Sequence, residues 1–240
     1  MRVDAPLLLG AAIGLLYLKD CLLWLRPDEA VLLRGRGGRW RAGFGRLDWR
    51  LRGRAPWLCN PFTPHRPLLR LRWDAVAAPR AGALLPATAA PELDALRPWV
   101  WTIWLLLFAG LPLAFYGQLG LPGLCVLLAV LYASIVAGLV TVCRRRVALG
   151  LERPALALLA FEVLACPPYA ANLLRRLALA RPVDEDLLAA GARLLDADAR
   201  AELRDQCRAR IDDELDWIAE DSARAHALRA ARSGFDHEQH

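Results

Sequence analysis

Lysine is almost missing from this chain. Of 31 basic residues only Lys19 is a lysine, and the remainder of the sequence is crowded with Ala, Leu, Gly and Arg. Such a bias follows base composition as readily as function, so a pI near 9.3 is no argument for nucleic acid by itself. Histidine is scarce at four residues, and the six cysteines stand apart, with no CxxC pair. That spacing excludes the ordinary structural zinc patterns and gives no disulfide framework. There is no Ser, His and Asp arrangement, no GxGxxG and no P-loop, so no catalytic residue, cofactor or metal is expected. Charge is absent altogether from Pro98 to Cys143.

That uncharged run is what the rest is organised around. Trp99 to Tyr116 and Leu119 to Cys143 are each long enough to cross a hydrocarbon core of ~30 Å as a helix, and only Gly117 and Gln118 join them. With 56% hydrophobic residues in the whole chain, residues 98–146 read as a membrane hairpin closed by Arg144, Arg145 and Arg146. Trp99, Trp101 and Trp104 at one end and Tyr116 at the other suit the two interfaces. Pro112 should bend the first helix, and Ala133, Ser134, Ala137 and Gly138 offer small surfaces on the second.

An earlier apolar segment, Pro6 to Leu25, is broken by Lys19 and Asp20. It has no small-x-small site after its apolar core, so residues 1–26 read as an uncleaved first transmembrane helix. Arginines crowd the regions on either side of the hairpin, whereas its tip carries no charge. The positive-inside rule then puts both basic parts in the cytoplasm and the N-terminus outside. The expectation is a three-span protein of the bacterial inner membrane, with membrane lipid as one partner.

Residues 27–74 read as a small basic antiparallel insert of three or four strands: DEAVLLR, a glycine turn, RWRAGFG, then LDWRLRG and RPLLRLRW alternate apolar with arginine. The proline-rich NPFTPHRP, Asn60 to Pro67, should be an ordered connection. Residues 75–97 are an Ala/Pro linker and a short helix. Residues 147–181 read as interfacial or amphipathic helices: Pro154 to Ala165 is apolar but too short to cross, so it should lie at the interface or pack as a core helix, and Tyr169 to Ala180 is amphipathic and basic. Residues 182–232 form an acidic helical tail, with Asp184 and Asp196 as expected N-caps and one long helix from Asp196 to about Ala230. Its stripe of Leu203, Cys207, Ile211, Leu215 and Ile218 must bury against something. Residues 233–240 read as a disordered end.

Charge is divided between the parts. Arg26 to Arg97 holds 14 arginines against six acids, and Asp184 onward holds 15 acids against eight arginines. Lys19 and Asp20 are the sharpest local feature, since ionisable groups inside a span are costly; snorkelling toward the interface explains them without a function. Cys59 and His65 lie close in sequence but lack further ligands, and His65 is better placed in a hydrogen-bonded turn. Arg34, Arg36, Arg39 and Arg41 resemble RNA-binding Arg and Gly runs in composition, although arginine on the wet face of a strand explains the same letters. The function expected is a non-enzymatic inner-membrane interaction or assembly subunit, with a protein partner or a second copy. Two alternatives stand beside it: a small subunit of a transporter or membrane enzyme lending Lys19 and Asp20 to an intramembrane site, and a membrane-tethered binder of nucleic acid or anionic lipid through the insert. Nucleic acid is the less favoured ligand.

Overall fold

The computed structural model describes residues 4–35, 38–46, 51–76, 90–117, 119–180 and 185–237. In chain order the elements are α1 (Ala5–Cys21), β1 (Leu22–Leu25), β2 (Glu29–Arg34), β3 (Trp40–Phe44), β4 (Ala55–Leu58), β5 (Leu68–Arg72), α2 (Ala90–Asp94), α3 (Arg97–Leu105), a π-helical turn (Leu106–Gly110), α4 (Leu111–Tyr116), α5 (Gly120–Arg144), α6 (Arg153–Ala165), α7 (Pro167–Ala170), α8 (Leu173–Ala180), α9 (Leu187–Leu194), α10 (Ala197–Leu215) and α11 (Ala223–His237). They form two compact units, residues 1–23, 58–67 and 85–182, and residues 24–57, 68–84 and 183–240. The result is a mixed, mainly helical fold with a small antiparallel sheet.

In the first unit two helices, Glu92–Tyr116 and Gly120–Arg144, are long and apolar enough to cross a membrane, at 25 residues each. They pack closely where side chains are small: a Cβ on Gly110 would fall 2.7 Å from Leu127 Cδ1, and Gly138 faces Trp99 and Leu173. The first rod is interrupted at the π-helical turn, where the Leu111 N–H donates to the Leu106 carbonyl five residues back. Pro112 lies just beyond. Its ring crowds the carbonyl four residues earlier, and a wider turn relieves that clash, which is the form taken here by the expected bend.

The first apolar segment departs from expectation. Its helix stops at Cys21, and Leu22–Leu25 leaves as strand β1, which pairs with β4 in a two-stranded ribbon. The cause is a remote partner: the Cys59 N–H donates to the Cys21 carbonyl at 2.9 Å and captures the chain in an extended form. The remaining 17-residue helix is about 26 Å long, short of a ~30 Å core, so a third span is not shown.

A further difference concerns Tyr169 to Ala180, expected as one basic amphipathic helix. The chain breaks into α7 and α8, and Arg175 is buried at 4% exposure.

In the second unit the sheet has the order β3-β2-β5, antiparallel throughout, with Leu32 opposite both Ala42 and Leu69. Gly38, at φ +80, closes the β2–β3 hairpin in a backbone conformation that other residues rarely adopt. The strand expected in LDWRLRG lies partly outside the described residues, and Leu51 to Arg54 is a turn in which the Leu51 N–H donates to the Arg54 carbonyl at 2.8 Å. Asp184 also lies outside them. Asp186 caps α9 instead, its Oδ1 accepting from Leu188 N at 2.8 Å. Asp196 caps α10 as expected.

The single long helix to Ala230 is two helices. The chain turns at Asp216 to Asp221, and Ser222 starts α11 by accepting from Ala225 N at 3.1 Å. α11 then runs to His237, past Ser233, where a loose end was expected. The apolar stripe finds its cover within the unit: Leu203, Cys207 and Ile211 are buried, α10 packing on β3, α9 and α11.

Candidate functional site

The densest polar structure in the first unit gathers under the end of α1. It is built on NPFTPHRP, where Pro61, Pro64 and Pro67 have no N–H to donate and the turn closes on two backbone bonds, Thr63 N–H to Asn60 O and Arg66 N–H to Thr63 O, both at 3.2 Å. Arg175 on α8 adds a second donor to each of these carbonyls: its Nη2 donates to Asn60 O and Thr63 O, both at 2.6 Å. Its Nη1 donates to Asn172 Oδ1 at 3.3 Å and to Cys21 Sγ at 3.6 Å. A planar guanidinium can serve such a fork where an ammonium cannot.

Arg176, the next residue, points to two acids. Its Nε donates to Asp20 Oδ1 at 3.1 Å and its Nη1 to Glu162 Oε2 at 2.6 Å, while the guanidinium carbon lies 4.6 Å above the Tyr169 ring. Asp20 Oδ2 is buried without a hydrogen-bond partner among the described residues. Of the pair singled out in the sequence, Asp20 is thus turned inward and Lys19 is exposed. The structure does not bring them together. Arg175, Arg176, Asn172 and Glu162 escaped the sequence reading because helical periodicity assigns adjacent arginines to a wet face.

His65 stacks on Trp101 with ring centroids 5.0 Å apart and 25° between planes, and a row of rings continues through Trp104 to Phe108 and Tyr17. The Tyr17 hydroxyl donates to Pro61 O at 2.5 Å. Burial lowers the His65 pKa, and Arg66, Arg97 and Arg175 lower it further, so the imidazole is neutral at pH 7. Burial also pushes the Cys59 thiol up to about 12, against the pull of Arg175. A thiol so protonated is no nucleophile at neutral pH. Chemically the cluster is a brace that ties α1, the proline-rich turn and α6 to α7 and α8.

In the second unit the basic residues lie on the hairpin: Arg39 and Arg41 are exposed and Arg34 is half-buried, while Arg36 lies outside the described residues. A groove of about 440 Å³ runs beside β3, lined by Phe44, Arg46, Trp57, Gln206 and Arg210 among others. Arg210 is already committed, donating to Gly45 O at 2.5 Å and lying 4.5 Å above the Phe44 ring. The acids of α10 are met by arginines of α11, Arg224 reaching Glu214 at 2.7 Å and Arg232 reaching Asp212 at 2.5 Å.

No protein-family model, curated protein or solved structure matches this chain.

Proposed function

We propose that the protein is a multi-pass protein of the bacterial inner membrane that acts as a non-enzymatic interaction or assembly subunit. The observation that carries the membrane part is the pair of 25-residue apolar helices whose outer surfaces are exposed, with Leu113, Leu121, Val126 and Val136 among them. Water would not leave such a surface uncovered. Arg144 to Arg146 follow the second helix and Arg97 begins α3, so the positive ends lie on the cytoplasmic side and the uncharged turn at Gly117 outside. α1 is the third and shortest membrane element, its start outside, carrying Leu7 to Leu9 and Leu15 on its surface. The second unit is cytoplasmic.

The interaction part draws support from the exposed hairpin arginines and from Trp217, 81% exposed at the end of α10. The covered stripe of α10 gives it none. The alternative in which Asp20 completes a site on another subunit is weakened by Arg176, which already neutralises Asp20 from within the chain.

Purification of the tagged protein from its native membrane in mild detergent, with mass measurement of the intact assembly, tests the reading. A stoichiometric partner or a defined homo-oligomer is expected. A lone, stable monomer would overturn the subunit role and leave the membrane assignment standing.

A further inference from the structure

We infer that helix α6 is a further membrane contact, lying in the interface plane with its outward face seated in the acyl chains of the lipid. The inference rests on the proposal above that Glu92–Tyr116 and Gly120–Arg144 cross the membrane. At 13 residues α6 is about 20 Å long and cannot cross. A helix of this length that is apolar but for Arg153 and Glu162 is ordinarily covered, yet α6 fully buries only Val163.

Its outward face is uniform. Every exposed position from Pro154 to Ala165 is Pro, Ala, Leu or Phe, with Leu158 60% and Phe161 71% exposed. The one charge in that stretch, Glu162, is drawn into the protein by Arg176. A face that docks on protein carries a polar rim, and a face in water carries charge; this one has neither. Charge collects instead at and before its start, in Arg144 to Arg146 and Arg153 against the single acid Glu152, a positive balance that an anionic headgroup layer would meet. α6 also packs on α5, so its apolar face continues the surface already assigned to lipid. Lipid is therefore the occupant, reached to the depth of roughly 5–10 Å that interfacial helices attain.

The test places photoreactive benzoylphenylalanine at position 161 of the full-length chain in vesicles of phosphatidylethanolamine and phosphatidylglycerol. Parallel proteins carry it at 126, exposed on α5, and at 217, exposed at the end of α10. After irradiation, mass analysis should find phospholipid adducts at 161 and 126, on the order of tenfold above those at 217. Lipid at 126 with none at 161, or a protein adduct at 161, would overturn the inference for α6 and leave the membrane reading intact. No lipid at 126 would remove that reading, and the inference would fall with it.

Discussion

Arg175 in the first unit and Ile211 in the second are both buried, at 4% and 0% exposure, in settings of opposite character. The groups that meet the Arg175 guanidinium are polar, Asn172 and Cys21 among them, and sit beside buried leucines of α8, while further leucines and valines cover the outside of α1, α5 and α6. Around Ile211 the inward groups are mainly Leu203, Cys207 and Leu228, with one buried charge, Arg210, held by Gly45 O, while the acids of α10 pair outside with arginines of α11. The second arrangement is what water demands of a fold. The first suits a medium that dissolves alkyl groups and leaves every polar group to be satisfied inside the protein. Burial therefore means different things in the two units, and so should mutation.

The largest effect should come from Ile211→Ala, which leaves a cavity and costs about 3 kcal/mol, against less than about 0.5 kcal/mol for Val126→Ala on an exposed face. Unfolding in mild detergent, with hydrogen exchange to assign the loss to a unit, would measure both. Equal costs would break the comparison.

Arg175→Ala comes next, at about 2 kcal/mol, because it removes the charge-assisted bonds to the Asn60 and Thr63 carbonyls that tie the turn to α8. Exchange of the amides around Thr63 should rise with it, and Arg175→Lys should restore less than half of the loss, lacking the fork. A variant that melts like the parent would show that the cluster braces nothing.

A smaller effect is tied to acid. Burial would raise the carboxyl of Glu29, yet the Arg26 N–H and the Arg70 guanidinium hold it below the ordinary glutamate value of 4.5. A depressed folded pKa gives stability that is complete above the unfolded value and lost as pH falls through the folded one. The melting temperature of the second unit should thus decline below pH 4.5, and less steeply in Glu29→Gln. The smallest effect on stability belongs to Trp217→Ser, within about 0.5 kcal/mol. If a partner binds at that ring, its yield on co-purification should fall all the same.

Elements whose cause is local were legible in the sequence. The two apolar runs, the β2–β3 hairpin around its glycines, the Asp196 cap and the inward positions Leu203, Cys207 and Ile211 all follow from residues within a few positions of each other. The end of α1 at Cys21 was hidden, because the chain is pulled into β1 by Cys59, 38 positions away. The inward turn of Arg175 was hidden for the same reason, its partners lying 112 and 115 positions earlier. Ser222 is a miss of another kind: a cap signal stood in the sequence between two helices, and the charged periodicity running through it concealed the break.

The partition of the chain has a consequence in time. Each unit is assembled from three stretches that alternate along the sequence, and the last stretch of the first unit reaches residue 182. A ribosome delivers α1 early and Arg176 late, 156 residues after Asp20. At synthesis rates of roughly 5–20 residues per second, Asp20 waits on the order of 10 s for its counter-charge. Until then Asp20 is an unmatched acid at the end of an apolar helix, and the first unit cannot close before residue 182 nor the second before the stretch that follows it has been made.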